Sequence, residues 1–326
     1  MSQSRGHASS PVDLPGRVQH AQYDLRVLAP YRLDLTVSAL RRLHTNMVDV
    51  FTPDGEYLRV LGNEHAPVFV RVAQTSPELL TVTLDGNTTD HPYALNLVRR
   101  ILGVDRDLGA FNSGAERVPW LAPLASRMRG VKPPRYPTLW EACVNAIVFQ
   151  QVSLFAATAI MRRLLLALSS PVGPEGSSSY QFPSCERTLG TSEDVLRGAG
   201  LSANKLATLH RVGGALTSGA LAEAMLEERA SPDAAALLQQ IKGIGPWTAT
   251  VILLRGLGRL DVFPMNDSSV TRNLAMVGGS APIDTAGTLD ALRPQQGMLY
   301  FHLLLARLEA RGELATSSIE HTNCIA

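Results

Sequence analysis

Cysteine is scarce in this chain. Three residues, Cys143, Cys185 and Cys324, stand far apart and are odd in number. That excludes a disulfide framework and a four-cysteine metal site, and it fits a reducing compartment. No apolar run approaches the roughly 18 residues that a membrane span needs, so no membrane partner is expected. The first 20 residues are polar, with Ser, Gly and Pro and no apolar core. They read as a disordered tail rather than a secretory signal, and a cytoplasmic location is expected. The histidines show no ligand spacing, so no catalytic metal is expected. Net charge is only +1, from 30 basic and 29 acidic residues, and by itself makes no case for a polyanionic partner. No internal repeat and no dimer signature is visible, and a monomer is expected.

What is there fills more than one domain. The 326 residues have room for two cores. Residues 57–61, 68–72 and 80–84 alternate with period two and read as strands. With helical runs at 33–43 and 93–102 they predict a small α+β domain over 21–98. From Leu121 onward the pattern is helical. Leu139 to Leu168 reads as two apolar helices, ending at a Ser-, Gly- and Pro-rich loop over 169–179. Further helices are expected at 193–197, 204–216 and 220–229, and a last one at about 297–311, before a polar tail over 313–326. Between Arg99 and Arg163 ten basic residues stand against four acidic ones. That local excess is either a basic patch facing a nucleic acid or a solvated face.

The most informative stretch runs Gln239-Gln240-Ile241-Lys242-Gly243-Ile244-Gly245-Pro246-Trp247-Thr248-Ala249. Ser231 is a good N-cap, with Pro232 and Asp233 in the first turn of a helix to Ile241. Gly243 and Gly245 permit a tight turn and a close backbone approach. Pro246 opens a second helix that stops before Gly256. The N–H groups opening that helix are unpaired, with the positive end of the helix dipole behind them, and suit a phosphate. Asp267 follows 22 residues after Gly245, at the end of Asp261-Val262-Phe263-Pro264-Met265-Asn266. It opens another helix, 268–277, which makes it either a plain helix-capping acid or an ionised carboxylate at the floor of a cleft.

These residues resemble the helix-hairpin-helix of the DNA glycosylase superfamily, and in particular its alkylation-repair branch, 3-methyladenine DNA glycosylase II. Ala146-Ile147-Val148-Phe149-Gln150-Gln151-Val152-Ser153 is similar to the family's helix whose end enters the duplex. Pro294 and Tyr300-Phe301-His302-Leu303-Leu304 are similar to its closing helix. The resemblance implies a mainly α fold: a two-lobed helical bundle preceded by the small α+β sheet domain. One lobe would comprise 99–130 and 260–312 and carry the catalytic Asp267. The other, 131–259, would hold the hairpin over 239–254. The partner implied is double-stranded DNA, and the reaction is hydrolysis of the N-glycosidic bond of an alkylated purine. With three cysteines the chain cannot ligate the iron–sulfur cluster that some relatives carry.

The resemblance also implies roles. Gly243, Ile244, Gly245, Trp247 and Thr248 would hold a phosphate. The carbonyls of Gln239, Ile241 and Gly243 would hold a structural Na+ or K+. Gln150 and Gln151 would provide the intercalating wedge. Trp247, Tyr300 and Phe301 would line the base pocket, although any of the three could be a core residue. Trp247 stands where bifunctional relatives carry a lysine nucleophile, so water is the expected nucleophile and the strand stays intact. Asn266 could orient Asp267 or cap the helix, and His302 reads as a satisfied core residue. Departures fall in the pocket: Val251 replaces a tyrosine, no tryptophan lies near Leu304, and Gln295-Gln296 replace a Trp-Arg pair. They bear on lesion choice, leaving open deaminated or oxidised purines. A passive DNA-binding module is the remaining alternative.

Overall fold

The computed structural model describes residues 19–173, 179–265, 267–279 and 283–315. Near the N-terminus, β1 (Gln19–Arg26), β2 (Val50–Phe51), β3 (Glu56–Asn63), β4 (Ala66–Ser76) and β5 (Leu79–Gly86) form one antiparallel sheet, ordered β1-β5-β4-β3-β2. Alternation explains the central strands: Leu80, Val82 and Leu84 are fully buried on one face of β5, and Val82 pairs with Val72. β1 starts inside the stretch expected to be a tail. It is an edge strand, solvated over most of its length, so its sequence is too polar to stand out. Two helices, α1 (Leu33–Arg41) and α2 (His91–Leu102), accompany the sheet. Ala94, Val98, Ile101, Leu102 and Val104 all lie in the sheet's core, so this unit packs past the expected boundary at 98.

The rest is helical among the described residues. α3 (Gly109–Glu116) and α4 (Ala122–Arg127) precede α5 (Leu139–Val148) and α6 (Leu154–Leu168). Short α7 (Cys185–Leu189) and α8 (Glu193–Gly198) lead to α9 (Ala203–Thr217). Then come α10 (Glu223–Glu227), α11 (Ser231–Gln239) and α12 (Pro246–Arg255). α13 (Ser268–Gly278), α14 (Thr285–Ala291) and α15 (Met298–Glu309) complete the order. The helix expected over 220–229 shrinks to α10. α7 and α14 were not expected; each is short and opened by a side-chain cap, Ser184 and Asp284. Ala230, not Ser231, occupies the N-cap position of α11.

Three apolar cores result. The first lies under the sheet. The second joins α5, α6, α9, α11 and most of α12. The third joins α3, α4, α13 and α15. α1 serves two of them, with Leu33, Val37 and Leu40 in the sheet core and Leu35 and Ala39 in the third. α12 serves two as well, with Val251 to Leu253 in the second and Leu254 in the third. Leu257 still packs in the second core and Leu260 in the third, so the chain changes cores there.

A buried charge cluster joins the sheet to α5. Arg59 reaches Asp49 at 2.5 Å and Glu141 at 2.6 Å, and the Tyr57 hydroxyl donates to Asp49 at 2.8 Å. One cation faces two carboxylates away from water. Burial pushes Glu141 up to about 7 against the pull of Arg59, with a further push from Asp49.

Candidate active site

The hairpin between α11 and α12 has two glycines with different geometry. Gly243 has φ +106°, and a Cβ there would lie 2.0 Å from the Thr208 hydroxyl oxygen. Only glycine fits that position. Gly245 has φ −89° and no atom within 4 Å of where a Cβ would stand, so its side faces open space. Gly245 is the N-cap of α12, without a side-chain cap, and Pro246 follows in the first turn. No hydrogen bond within the described residues uses the N–H groups of Gly245, Trp247 or Thr248. They form the anion-ready end of the helix. Ile244 differs from that expectation: its side chain is buried in the second core and its N–H already serves the Ile241 carbonyl at 2.9 Å.

Asp267 is the N-cap of α13, as a short acceptor side chain before a helix should be. Its Oδ1 accepts from the N–H of Ser269 at 2.6 Å and of Val270 at 3.3 Å. Its Oδ2 accepts from the indole Nε1 of Trp247 at 2.8 Å. Asp267 as a whole is 8 % exposed, and three N–H donors from two elements hold its carboxylate in place. Trp247 is half-buried against the second core, so its N–H edge positions the acid while part of the ring stays accessible. Asn266 lies outside the described residues.

The two glutamines part company. Gln151 is exposed, with φ +53°. Gln150 turns inward, and its Nε2 donates to the Gly243 carbonyl at 3.0 Å and to the Thr248 hydroxyl at 2.8 Å. Of the two residues expected as a paired wedge, Gln151 is the exposed one, and half-buried Gln150 is turned to the hairpin. Phe301 is also corrected. It is 0 % exposed, a core ring set edge-on to Tyr300. Tyr300 is half-buried. His302 is a core residue as expected, with Nδ1 at the Met298 carbonyl and its ring against Phe111; burial lowers it to about 4.

The basic stretch over 99–163 divides: Arg117, Arg127, Arg129, Arg162 and Arg163 are exposed, and others turn inward. Arg100, Arg106, Lys132, Arg135 and Arg163 donate to backbone carbonyls, and Arg99 and Arg127 pair with Asp105 and Glu309. Three of them close the chain just after α12: Arg100 and Arg135 on the Gly256 carbonyl and Arg106 on that of Gly258. Burial, then the neighbouring Arg100 and Arg106, push Arg135 down to about 10. Sequence reasoning also missed Arg255 and Lys205. Arg255 is fully buried and donates to the carbonyls of Ala39 and Leu40 at 3.0 and 3.1 Å. Lys205 donates to the Val148 carbonyl at 2.7 Å, closing the end of α5.

Residues 144–293 match the family model described as HhH-GPD superfamily base excision DNA repair protein. Over that segment the chain is similar to the HhH-GPD superfamily. It is 26 % identical over 174 residues to DNA-3-methyladenine glycosylase of Bacillus subtilis, covering 53 % of this chain and 57 % of that one. It is 30 % identical over 218 residues to a probable bifunctional transcriptional activator/DNA repair enzyme AlkA of Mycobacterium tuberculosis, covering 66 % and 42 %. The chain thus spans about half the length of the curated relatives it matches. The solved 3-methyladenine DNA-glycosylase from Archaeoglobus fulgidus has the same fold, with a TM-score of 0.72 over 88 % of this chain and 99 % of that one, at 22 % identity.

Proposed function

We propose that this protein is a monofunctional DNA N-glycosylase that removes alkylated purines, of the 3-methyladenine and 7-methylguanine type, from double-stranded DNA. The observation that carries the reading is the Trp247–Asp267 pair beside the open N-terminus of α12. The N–H groups of Gly245, Trp247 and Thr248 hold a backbone phosphate with the helix dipole behind them. Gln151 enters the stack as the target nucleotide leaves it. Asp267 then faces the sugar, stabilises positive charge growing at C1′, and accepts a proton from the attacking water. The C1′–N bond breaks with its electron pair going to the base, which leaves neutral because alkylation had made it cationic. An abasic site in an intact strand remains.

The lysines support water as the nucleophile. The chain has three. Lys132 and Lys205 donate to backbone carbonyls, and Lys242 is exposed in the hairpin turn. Tryptophan occupies the position where an amine would have to attack. A lone monomer suffices for this chemistry. The carbonyls of Gln239, Ile241 and Gly243 are neutral oxygen donors suited to Na+ or K+, which would add positive charge near the phosphate. The Gly243 carbonyl is shared with Gln150, which fixes its direction.

One observation favours a second reading of lesion choice. Val251 and Phe301 are both buried, which leaves Trp247 as the aromatic residue in contact with Asp267. A pocket with fewer aromatic faces gains less from a cationic base. Methylated duplex DNA tests the main reading: free 3-methyladenine or 7-methylguanine appears, and strands break only on later alkali treatment. Breakage without alkali, or borohydride trapping of a protein–DNA adduct, sinks the monofunctional mechanism. Release of hypoxanthine or 8-oxoguanine alone moves the lesion class. DNA binding with no base release from any of these duplexes leaves a passive grip.

A further inference from the structure

The turn between α5 and α6 is held from three sides. Lys205 Nζ takes the Val148 carbonyl at 2.7 Å where α5 ends. Ser153 caps α6 by accepting from the Ala156 N–H at 3.2 Å. Between these points Gln150 Nε2 spends both of its N–H groups on the hairpin, one on the Gly243 carbonyl and one on the Thr248 hydroxyl. The hairpin cannot follow if pushed, because the Gly243 Cα already lies against Thr208. Thr248 directly follows Trp247, which holds Asp267. Gln151 sits beside Gln150 in a left-handed conformation that a non-glycine residue adopts at a cost of about 1 kcal/mol. Such a conformation persists only where neighbours enforce it.

We propose that Gln150 is a positioning residue that fixes Gln151 at a set distance from the phosphate grip and from the Trp247–Asp267 pair. This rests on the glycosylase reading above. Pushing a side chain into a base stack meets a restoring force from the displaced bases, and the turn carrying it recoils unless braced. The brace runs from the Gln151 backbone through the Gln150 amide to the first turn of α12. The residue that fills the stack and the carboxylate that attacks the extruded nucleotide therefore share one rigid mount. Gln150 itself touches no DNA in this arrangement, although it adjoins the wedge in sequence. A residue that only satisfied buried polar groups would affect every substrate alike. A positioning residue matters where a paired base has to be displaced and not where the base is already out.

The test uses the full chain as wild type, Gln150→Met, which keeps the length without the donors, and Gln150→Glu, which keeps the shape but sets carboxylate oxygens against the Gly243 carbonyl. Single-turnover excision is measured on 7-methylguanine paired in a duplex and on the same base in a one-nucleotide bulge. In parallel, 2-aminopurine next to an abasic-site analogue reports unstacking on binding, with no chemistry involved. Both variants are expected to lose about 100-fold on the paired base, as for a misplaced group. Both should keep wild-type rates on the bulged one and lose the fluorescence rise at saturating protein. Equal losses on both substrates, or no loss on either, overturns the proposal. If wild type releases no 7-methylguanine, the lesion reading fails, and the fluorescence arm decides positioning alone: a rise that Gln150→Met abolishes upholds it, and no rise in wild type overturns it.

Discussion

At its first turn α12 presents the N–H groups of Trp247 and Thr248 to no acceptor among the described residues, while its last turn is closed on all sides. There Arg255 lies fully buried between the rings of Tyr136 and Phe301, at 5.1 and 5.9 Å, with its Nη2 on the carbonyls of α1. Arg100 and Arg135 take the Gly256 carbonyl just beyond. Buried cations at the negative end of the helix complement its dipole there, and the open N–H groups at the positive end leave it for an outside anion. A helix that must grip a phosphate without shifting is anchored at its far end, where all three cores meet.

Breaking the anchored end should have the largest effect. Arg255→Ala opens a cavity at that junction and strips the Ala39 and Leu40 carbonyls of their donor, and should cost about 4 kcal/mol in chemical denaturation. A loss under 1 kcal/mol would show that the junction does not depend on it. His302, behind the same core, sharpens the comparison through pH. The unfolded chain binds a proton on this imidazole below about 6.5, whereas the buried ring takes one only near pH 4. Stability from this group is therefore full above pH 6.5 and lost as pH falls toward 4. Glu141 has the opposite sign, because the folded carboxyl holds its proton up to about 7 and adds stability as pH falls from there. Relative to wild type, His302→Gln should gain stability on acidification from pH 7 to 4, by roughly 3 kcal/mol at the end of that range. Parallel pH profiles for the two proteins would contradict the burial argument.

The hairpin glycines give the smaller effects and separate the two ends most finely. Gly243→Ala meets Thr208 in a left-handed backbone and should lose about 2 kcal/mol of stability. Gly245→Ala meets nothing within the protein and, alanine being only a poorer N-cap than glycine, should cost no more than about 1 kcal/mol of stability. It should nevertheless weaken duplex binding about tenfold, the worth of one charge-assisted hydrogen bond displaced. Unchanged DNA affinity in Gly245→Ala would mean the open end is not where the phosphate sits.

Much of this arrangement is written locally and can be read from sequence. Glycine at a positive φ, proline in the first turn of a helix and aspartate before one are each choices that neighbouring backbone dictates, so the hairpin, α12 and the capping place of Asp267 were legible. What is not legible depends on which way a side chain faces after packing. Gln150 and Gln151 are identical residues in adjacent positions, and only the approach of the hairpin sends one inward. Phe301 looks the same as a pocket ring or a core ring until α15 is docked. The basic excess over 99–163 reads as a surface property, yet Arg100, Arg106 and Arg135 run inward to carbonyls just past the end of α12. Arg255, the most buried cation of that junction, gives no signal at all in an apolar helix.

The most direct test of the central claim is single-turnover base release from methylated duplex DNA by wild type and Asp267→Asn. Asparagine is as good an N-cap as aspartate, so the variant should fold with stability within about 1 kcal/mol of wild type. It should still bind the duplex, while excision falls roughly 1,000-fold, as when a group facing developing charge is removed. Base release from the folded variant at the wild-type rate would contradict the account, because Asp267 would then be only the cap of α13.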